Sequence, residues 1–109
     1  MTDMPEPWPD TAEALMRSRF AAFCDGDADW LAASWHHSTR PDSVDLTDNP
    51  QWRSLQIVST LRGGPDDVDG VVEFRASFRS NSGHGVLHER SRFVREDGRW
   101  YYLDGEVRD

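Results

Sequence analysis

Val71-Val72-Glu73-Phe74-Arg75-Ala76-Ser77-Phe78-Arg79 alternates apolar and polar side chains from Val72 onward. A period of two puts Val72, Phe74, Ala76 and Phe78 on one side of an extended chain, and Glu73, Arg75, Ser77 and Arg79 on the other. That is the pattern of an antiparallel strand with one covered and one open face. The stretch has strand neighbours on both sides. Upstream, Leu55 to Leu61 predicts a strand that Gly63-Gly64-Pro65 stops. Downstream, Asn81 to Gly85 forms a turn and Val86 to Arg95 a third strand. Glu96-Asp97-Gly98 turns the chain again into a fourth strand, Arg99 to Gly105.

The first third of the chain has a different period. Asp10 stands three residues before Glu13, the spacing of a capping box, and opens a helix that runs to Cys24 with Gly26 as its C-cap. Ala12, Leu15, Met16, Phe20, Ala22 and Phe23 share one broad helical arc. Asp27 caps a short second helix carrying Trp30, Leu31, Ser34 and Trp35, and one further helical turn is expected between Asp42 and Thr47. Residues 1–9 read as a flexible N-terminal arm and residues 10–109 as a single domain. Helices first and consecutive antiparallel strands afterwards define an α+β domain with N-terminal helices packed on a curved antiparallel sheet.

Arg19 lies in the middle of the apolar arc. A guanidinium aimed at a core needs acceptors there, since an unpaired buried charge costs several kcal/mol, of order 3–5. Strand parity nominates them. If Phe93 points inward, Ser91 and Glu89 do too; if Trp100 points inward, so do Tyr102 and Asp104. Glu89 and Asp104 are thus the carboxylates expected beside Arg19. Such a set has two readings. It is a clasp that fixes a helix on a sheet, or two carboxylates in a half-wet pocket that drive one pKa upward into an acid/base pair.

Leu15-Met-Arg-Ser-Arg-Phe20-Ala-Ala-Phe23, Trp35-His-His-Ser-Thr-Arg-Pro41 and the long block Leu87-His-Glu-Arg-Ser-Arg-Phe-Val-Arg-Glu-Asp-Gly-Arg-Trp-Tyr-Tyr-Leu-Asp-Gly105 resemble the YchJ-like family of uncharacterised bacterial proteins. The resemblance extends from Thr11 to Gly105. It implies an NTF2-like (cystatin-like) cone, in which a bent sheet and N-terminal helices enclose a cavity. Longer members of the family often carry cysteine-rich flanks, including a C-terminal SEC-C metal-binding motif. Here Cys24 stands alone, so the metal-dependent role of those flanks is not expected. The family supplies no catalytic residues to carry over, and it transfers fold rather than function.

Composition narrows the rest. The 109 residues hold 20 acidic and 12 basic side chains, a net charge of −8, which opposes a nucleic-acid partner. A single cysteine fits a reducing compartment. The acidic, Pro-rich start lacks the charge and apolar pattern of a signal peptide. A soluble, cytoplasmic protein is expected, with no membrane partner. His36 and His37 are adjacent in an extended segment and are expected to point apart, and His84 and His88 are too distant to share a ligand, so no metal and no cofactor are expected. Arg75, Arg79, His88, Arg90 and Arg92 form a basic outer face suited to solvent or to a homodimer. Among the tryptophans Trp35, beside His36 at the expected mouth of the cone, is the one placed to touch a ligand. Cys24, at a helix C-terminus, is not expected to be a nucleophile.

The expected pocket therefore draws on Arg19, Trp35, His36, Glu89, Ser91, Tyr102 and Asp104. The functional reading is a non-catalytic module that binds a small molecule in the cone or a protein partner. The alternatives are a cofactor-free isomerase, dehydratase or hydrolase using a pocket carboxylate, and an RNA- or ribosome-associated role for the Arg-rich face.

Overall fold

The computed structural model describes residues 7–108. Helix α1, Ala12–Asp25, is followed at once by α2, Ala28–Ala33. Four long strands come next: β1 Gln51–Arg62, β2 Asp69–Ser80, β3 Gly83–Glu96 and β4 Arg99–Val107. They pair antiparallel in chain order, β1-β2-β3-β4, each hairpin placing sequence neighbours side by side. The α+β class and the helix-on-sheet layering expected from the periodicities are what the chain adopts.

Local chemistry explains the ends of the helices, with one correction. Thr11, not Asp10, is the N-cap of α1: its side chain accepts from the Ala14 amide at 3.0 Å. With Thr11 as the cap, Glu13 falls one position short of the capping-box place and pairs with Arg17 instead; Asp and Thr are both good caps and stand side by side here. Gly26 closes the helix at φ 70°, and Asp27 accepts from the Trp30 amide at 3.0 Å to start α2. The helical turn expected between Asp42 and Thr47 does not form. Asp45 instead accepts from both the amide and the hydroxyl of Thr47, a local side-chain bond that competes with helix.

The core lies between α1 and one face of the sheet. Leu15, Leu31, Val72, Phe74, Ala76, Phe93 and Trp100 are buried there. On β2 the burial follows the alternation from Val72 to Ala76. Of the arm expected over residues 1–9, residues 1–6 lie outside the described residues, while Trp8 is docked rather than loose. Its indole donates to the Trp100 carbonyl at 2.9 Å and meets the Trp30 ring edge-on at 4.8 Å.

Two irregularities position the site. After α2 the chain pairs briefly with β4 through a parallel bridge, Trp35 to Tyr102. His36 donates its amide to Tyr102, and Tyr102 donates to Ser34, each at 2.8 Å. The second is a bulge. Arg92 pairs with Asp104 but Phe93 pairs with Tyr102, leaving Leu103 as the extra residue of β4. Tyr102 faces inward against Phe93, at 5.8 Å between centroids. Asp104 is turned to the outer face.

Among the described residues, no helix is long and apolar enough to cross a membrane.

Candidate functional site

A cavity of about 120 Å3 opens between α1 and the sheet. Its walls are mainly apolar: Phe20 and Phe23 from α1, Trp52 from β1, Phe74 from β2 and Leu87 from β3. Four polar side chains, Arg19, Glu89, Ser91 and Tyr102, gather at the same space, with Trp35 beside them. Helical spacing supplies Arg19, Phe20 and Phe23; strand parity supplies Leu87, Glu89 and Ser91.

Arg19 is 3% exposed and carries a different set of partners from the one expected. Its Nη1 donates to the Leu31 carbonyl at 2.8 Å and to Ser34 Oγ at 2.6 Å. Ser34 passes its own proton to the Trp30 carbonyl at 2.7 Å. The guanidinium carbon lies 4.5 Å from the Tyr102 ring centroid and 5.3 Å from that of Trp35, a cation packed in the corner of two rings that meet edge to face. The α2 backbone and two rings therefore hold the charge in place of a bidentate carboxylate. Nη1 carries both of the side chain's hydrogen bonds, so Nε and Nη2 have no protein acceptor among the described residues. Burial lowers the Arg19 pKa to about 10, which leaves it charged at neutral pH.

Glu89 faces the cavity as parity required, yet forms no ion pair or hydrogen bond with a protein group among the described residues. Burial raises its pKa, and the nearby Arg19 charge opposes that shift without cancelling it. Gly105 makes room for it: a Cβ there would collide with Oε1 of Glu89. Ser91, 1% exposed, has a hydroxyl with no hydrogen-bond partner among the described residues. Burial, with Glu89 adding to it, pushes the Tyr102 phenol up to about 12, so it stays protonated.

Asp104 and His36 do not belong to this set. Asp104 pairs with Arg92 on the outer face, Nε to Oδ1 at 2.7 Å and Nη2 to Oδ2 at 2.5 Å. That bond holds its carboxyl below the usual range. The period-two argument failed at the bulge, since one extra residue exchanges the faces of everything after it. His36 lies outside the cavity, with Nε2 3.0 Å from Glu96 Oε1. The rings of His36 and His37 do not diverge. They sit 4.3 Å apart at 30°, because the chain turns at His36, whose carbonyl accepts from the amides of Thr39 and Arg40. The apolar wall from Phe20, Phe23, Trp52 and Leu87 was not singled out as a site, although the α1 arc already held two of its members. Cys24 is exposed, and its thiol is pushed up by partial burial and by Asp25, in keeping with an unreactive cysteine.

Two N-terminal helices on one face of a four-strand antiparallel meander, with a cavity between them, define an NTF2-like α+β domain. Residues 11–105 match the family model described as the YchJ middle NTF2-like domain, and the chain belongs to that family. It is 52% identical over 99 residues to a UPF0225 protein of Streptomyces coelicolor, covering 91% of this chain and 77% of the relative. A UPF0225 protein of Chromobacterium violaceum is 45% identical over 100 residues, covering 89% and 74%. Among solved structures, the solution structure of a SEC-C motif containing protein from Rhodopseudomonas palustris superposes with a TM-score of 0.79 at 33% identity, covering 92% of this chain and 80% of that one. A SEC-C motif containing protein from Psychrobacter arcticus reaches a TM-score of 0.73 at 27% identity, covering 94% and 63%. No activity is attached to these relatives by name.

Proposed function

We propose that this chain is a small-molecule-binding module whose ligand enters the cavity between α1 and the sheet with a polar group leading. The observation that carries the reading is the Ser91 hydroxyl, buried at the cavity wall without a partner among the described residues. A buried hydroxyl left unsatisfied costs about 1–3 kcal/mol, and a ligand acceptor or donor at that point recovers it. The unused Arg19 donors and the unpaired Glu89 carboxylate flank the same space. Together they suit a neutral group that accepts from Arg19 and donates to Glu89, such as an amide or a hydroxyl. The cavity has roughly the size of one that holds a benzene ring, about 150 Å3, so the buried part of the ligand has about six heavy atoms.

A screen of small amides, alcohols and carboxylic acids by chemical-shift perturbation tests this reading. Binding is expected to shift the Ser91, Phe74 and Leu87 resonances. Leu87→Trp, which fills the cavity, is expected to abolish it while the fold is retained. Failure of every compound to perturb those residues would count against the reading.

One observation favours a second reading. Glu89 is not locked by Arg19, and a carboxylate with a raised pKa in a largely apolar cavity suits a general base. In that case a bound ligand is converted as well as held, and Glu89→Gln removes turnover while retaining binding. A bound compound recovered unchanged over long incubation favours the non-catalytic module.

A further inference from the structure

We propose that His36, His37 and Glu96 form a binding site for a divalent transition-metal ion of the zinc class, on the rim where the α2–β4 bridge meets the β3–β4 turn. One ligand atom from each residue lies within 4.8 Å of the others. Glu96 spans the two imidazoles: Oε1 is 3.0 Å from His36 Nε2, and Oε2 is 3.4 Å from His37 Nε2. Donors each about 2.0–2.2 Å from a tetrahedral zinc ion stand roughly 3.3 Å apart, so the ion fits with small side-chain rotations. Two nitrogen donors and one carboxylate leave a fourth position open to water or to a ligand group.

The donors are held by backbone rather than by loose side chains alone. The His36 amide is bonded to the Tyr102 carbonyl, and the chain reverses immediately afterwards. Glu96 ends β3 at the tight turn through Asp97 and Gly98, both at positive φ. The His36 ring is 11% exposed and meets Tyr101 edge-on at 6.0 Å, so its plane is fixed. Its other nitrogen, Nδ1, lies 2.7 Å from Ser38 Oγ, the outer hydrogen bond that orients a metal-bound imidazole. Without metal, Nδ1 accepts from the Ser38 amide at 3.2 Å and the Nε2 proton points at Glu96. Metal at Nε2 displaces that proton; the neutral ring then carries its proton on Nδ1, Ser38 Oγ accepts it, and the Ser38 amide gives up its bond to Nδ1. The donor chemistry also sets the ion class. Imidazole pairs suit zinc, copper and nickel, whereas calcium and magnesium require oxygen donors.

Isothermal titration of the full chain with Zn2+ tests this, with Ca2+ and Mg2+ as controls and histidine ring resonances as the site-specific readout. The expected result is one ion per chain with Kd below about 100 μM, shifts at His36 and His37 but not at His84 or His88, and no response to calcium or magnesium. Glu96→Gln and His37→Ala are each expected to weaken binding at least about tenfold; both side chains are largely exposed, so the fold is retained. Weaker binding than that threshold overturns the proposal. So does binding that Glu96→Gln and His37→Ala leave unchanged, or shifts confined to His84, His88 or Cys24.

Discussion

The guanidinium carbon of Arg19 lies 4.5 Å from the ring centroid of Tyr102, while Nη1 of the same side chain binds the Leu31 carbonyl and Ser34 Oγ. One buried cation thereby joins α1, the end of α2 and the inward face of β4. A planar fork can donate at its edge and stack on its face together, which an ammonium cannot. Arg19→Lys is therefore expected to be costly, and Arg19→Ala more so. The alanine variant removes two buried charge-assisted hydrogen bonds and the ring contacts, a loss of about 2–4 kcal/mol. Urea denaturation measures it, and a change under about 0.5 kcal/mol, the range of ordinary surface substitutions, would show that the cation is dispensable to the fold.

Glu89 imposes the opposite pH dependence from that of a surface ion pair. Its pKa in the folded protein is raised above the ordinary 4.5, so the folded state holds this proton more tightly than the unfolded chain. Stability attributable to Glu89 is then greatest below about pH 4.5 and declines as pH rises through the raised value. Glu89→Gln is expected to stabilise the ligand-free protein at pH 7 and to lose that advantage at pH 4. Paired melting curves at the two pH values check it, and an advantage that grows on acidification would reverse the assignment.

Ser91→Ala is expected to be neutral or stabilising without ligand, because it removes a buried hydroxyl that has no partner among the described residues. The same substitution is expected to weaken ligands that hydrogen-bond to that hydroxyl by about 1 kcal/mol, roughly fivefold. Loss of stability in the free protein, measured by the same denaturation, would mean that the hydroxyl is already satisfied.

Arg19, Glu89 and Ser91 were legible in the sequence for different reasons. A 3.6-residue period identified the inward cation, and a clean strand with Phe93 as its anchor identified the other two. Asp104 was not legible, because the signal that would relocate it is a bulge at Leu103, and no residue type in Trp100 to Gly105 demands one. The partners of Arg19 were missed for a related cause. Parity points to carboxylates as the partners, whereas the Leu31 carbonyl and Ser34 Oγ, both on or just after α2, are the acceptors. The convergence of His36 and His37 depended on a turn that Ser38 and Thr39 only weakly announce. What periodicity encodes was readable, and what a single inserted residue or a turn re-aims was not.

The bulge itself is open to measurement through Arg92 and Asp104. Their side chains are 60% and 44% exposed, so despite two short hydrogen bonds solvent screening leaves the pair little net contribution to stability. A double-mutant cycle with Arg92→Ala and Asp104→Ala is expected to return only a small favourable coupling that decreases in high salt. Because Asp104 faces away from the cavity, Asp104→Asn is expected to leave ligand affinity unchanged, whereas Glu89→Gln alters it. The folded Asp104 pKa is lowered by Arg92, so its small contribution is present above the ordinary value of 3.8 and is lost as pH falls through the depressed one. If Asp104→Asn changed affinity as strongly as Glu89→Gln, Leu103 would not be acting as the extra residue and the carboxylate would have to turn inward. Equal and negligible effects of both would instead remove Glu89 from the site.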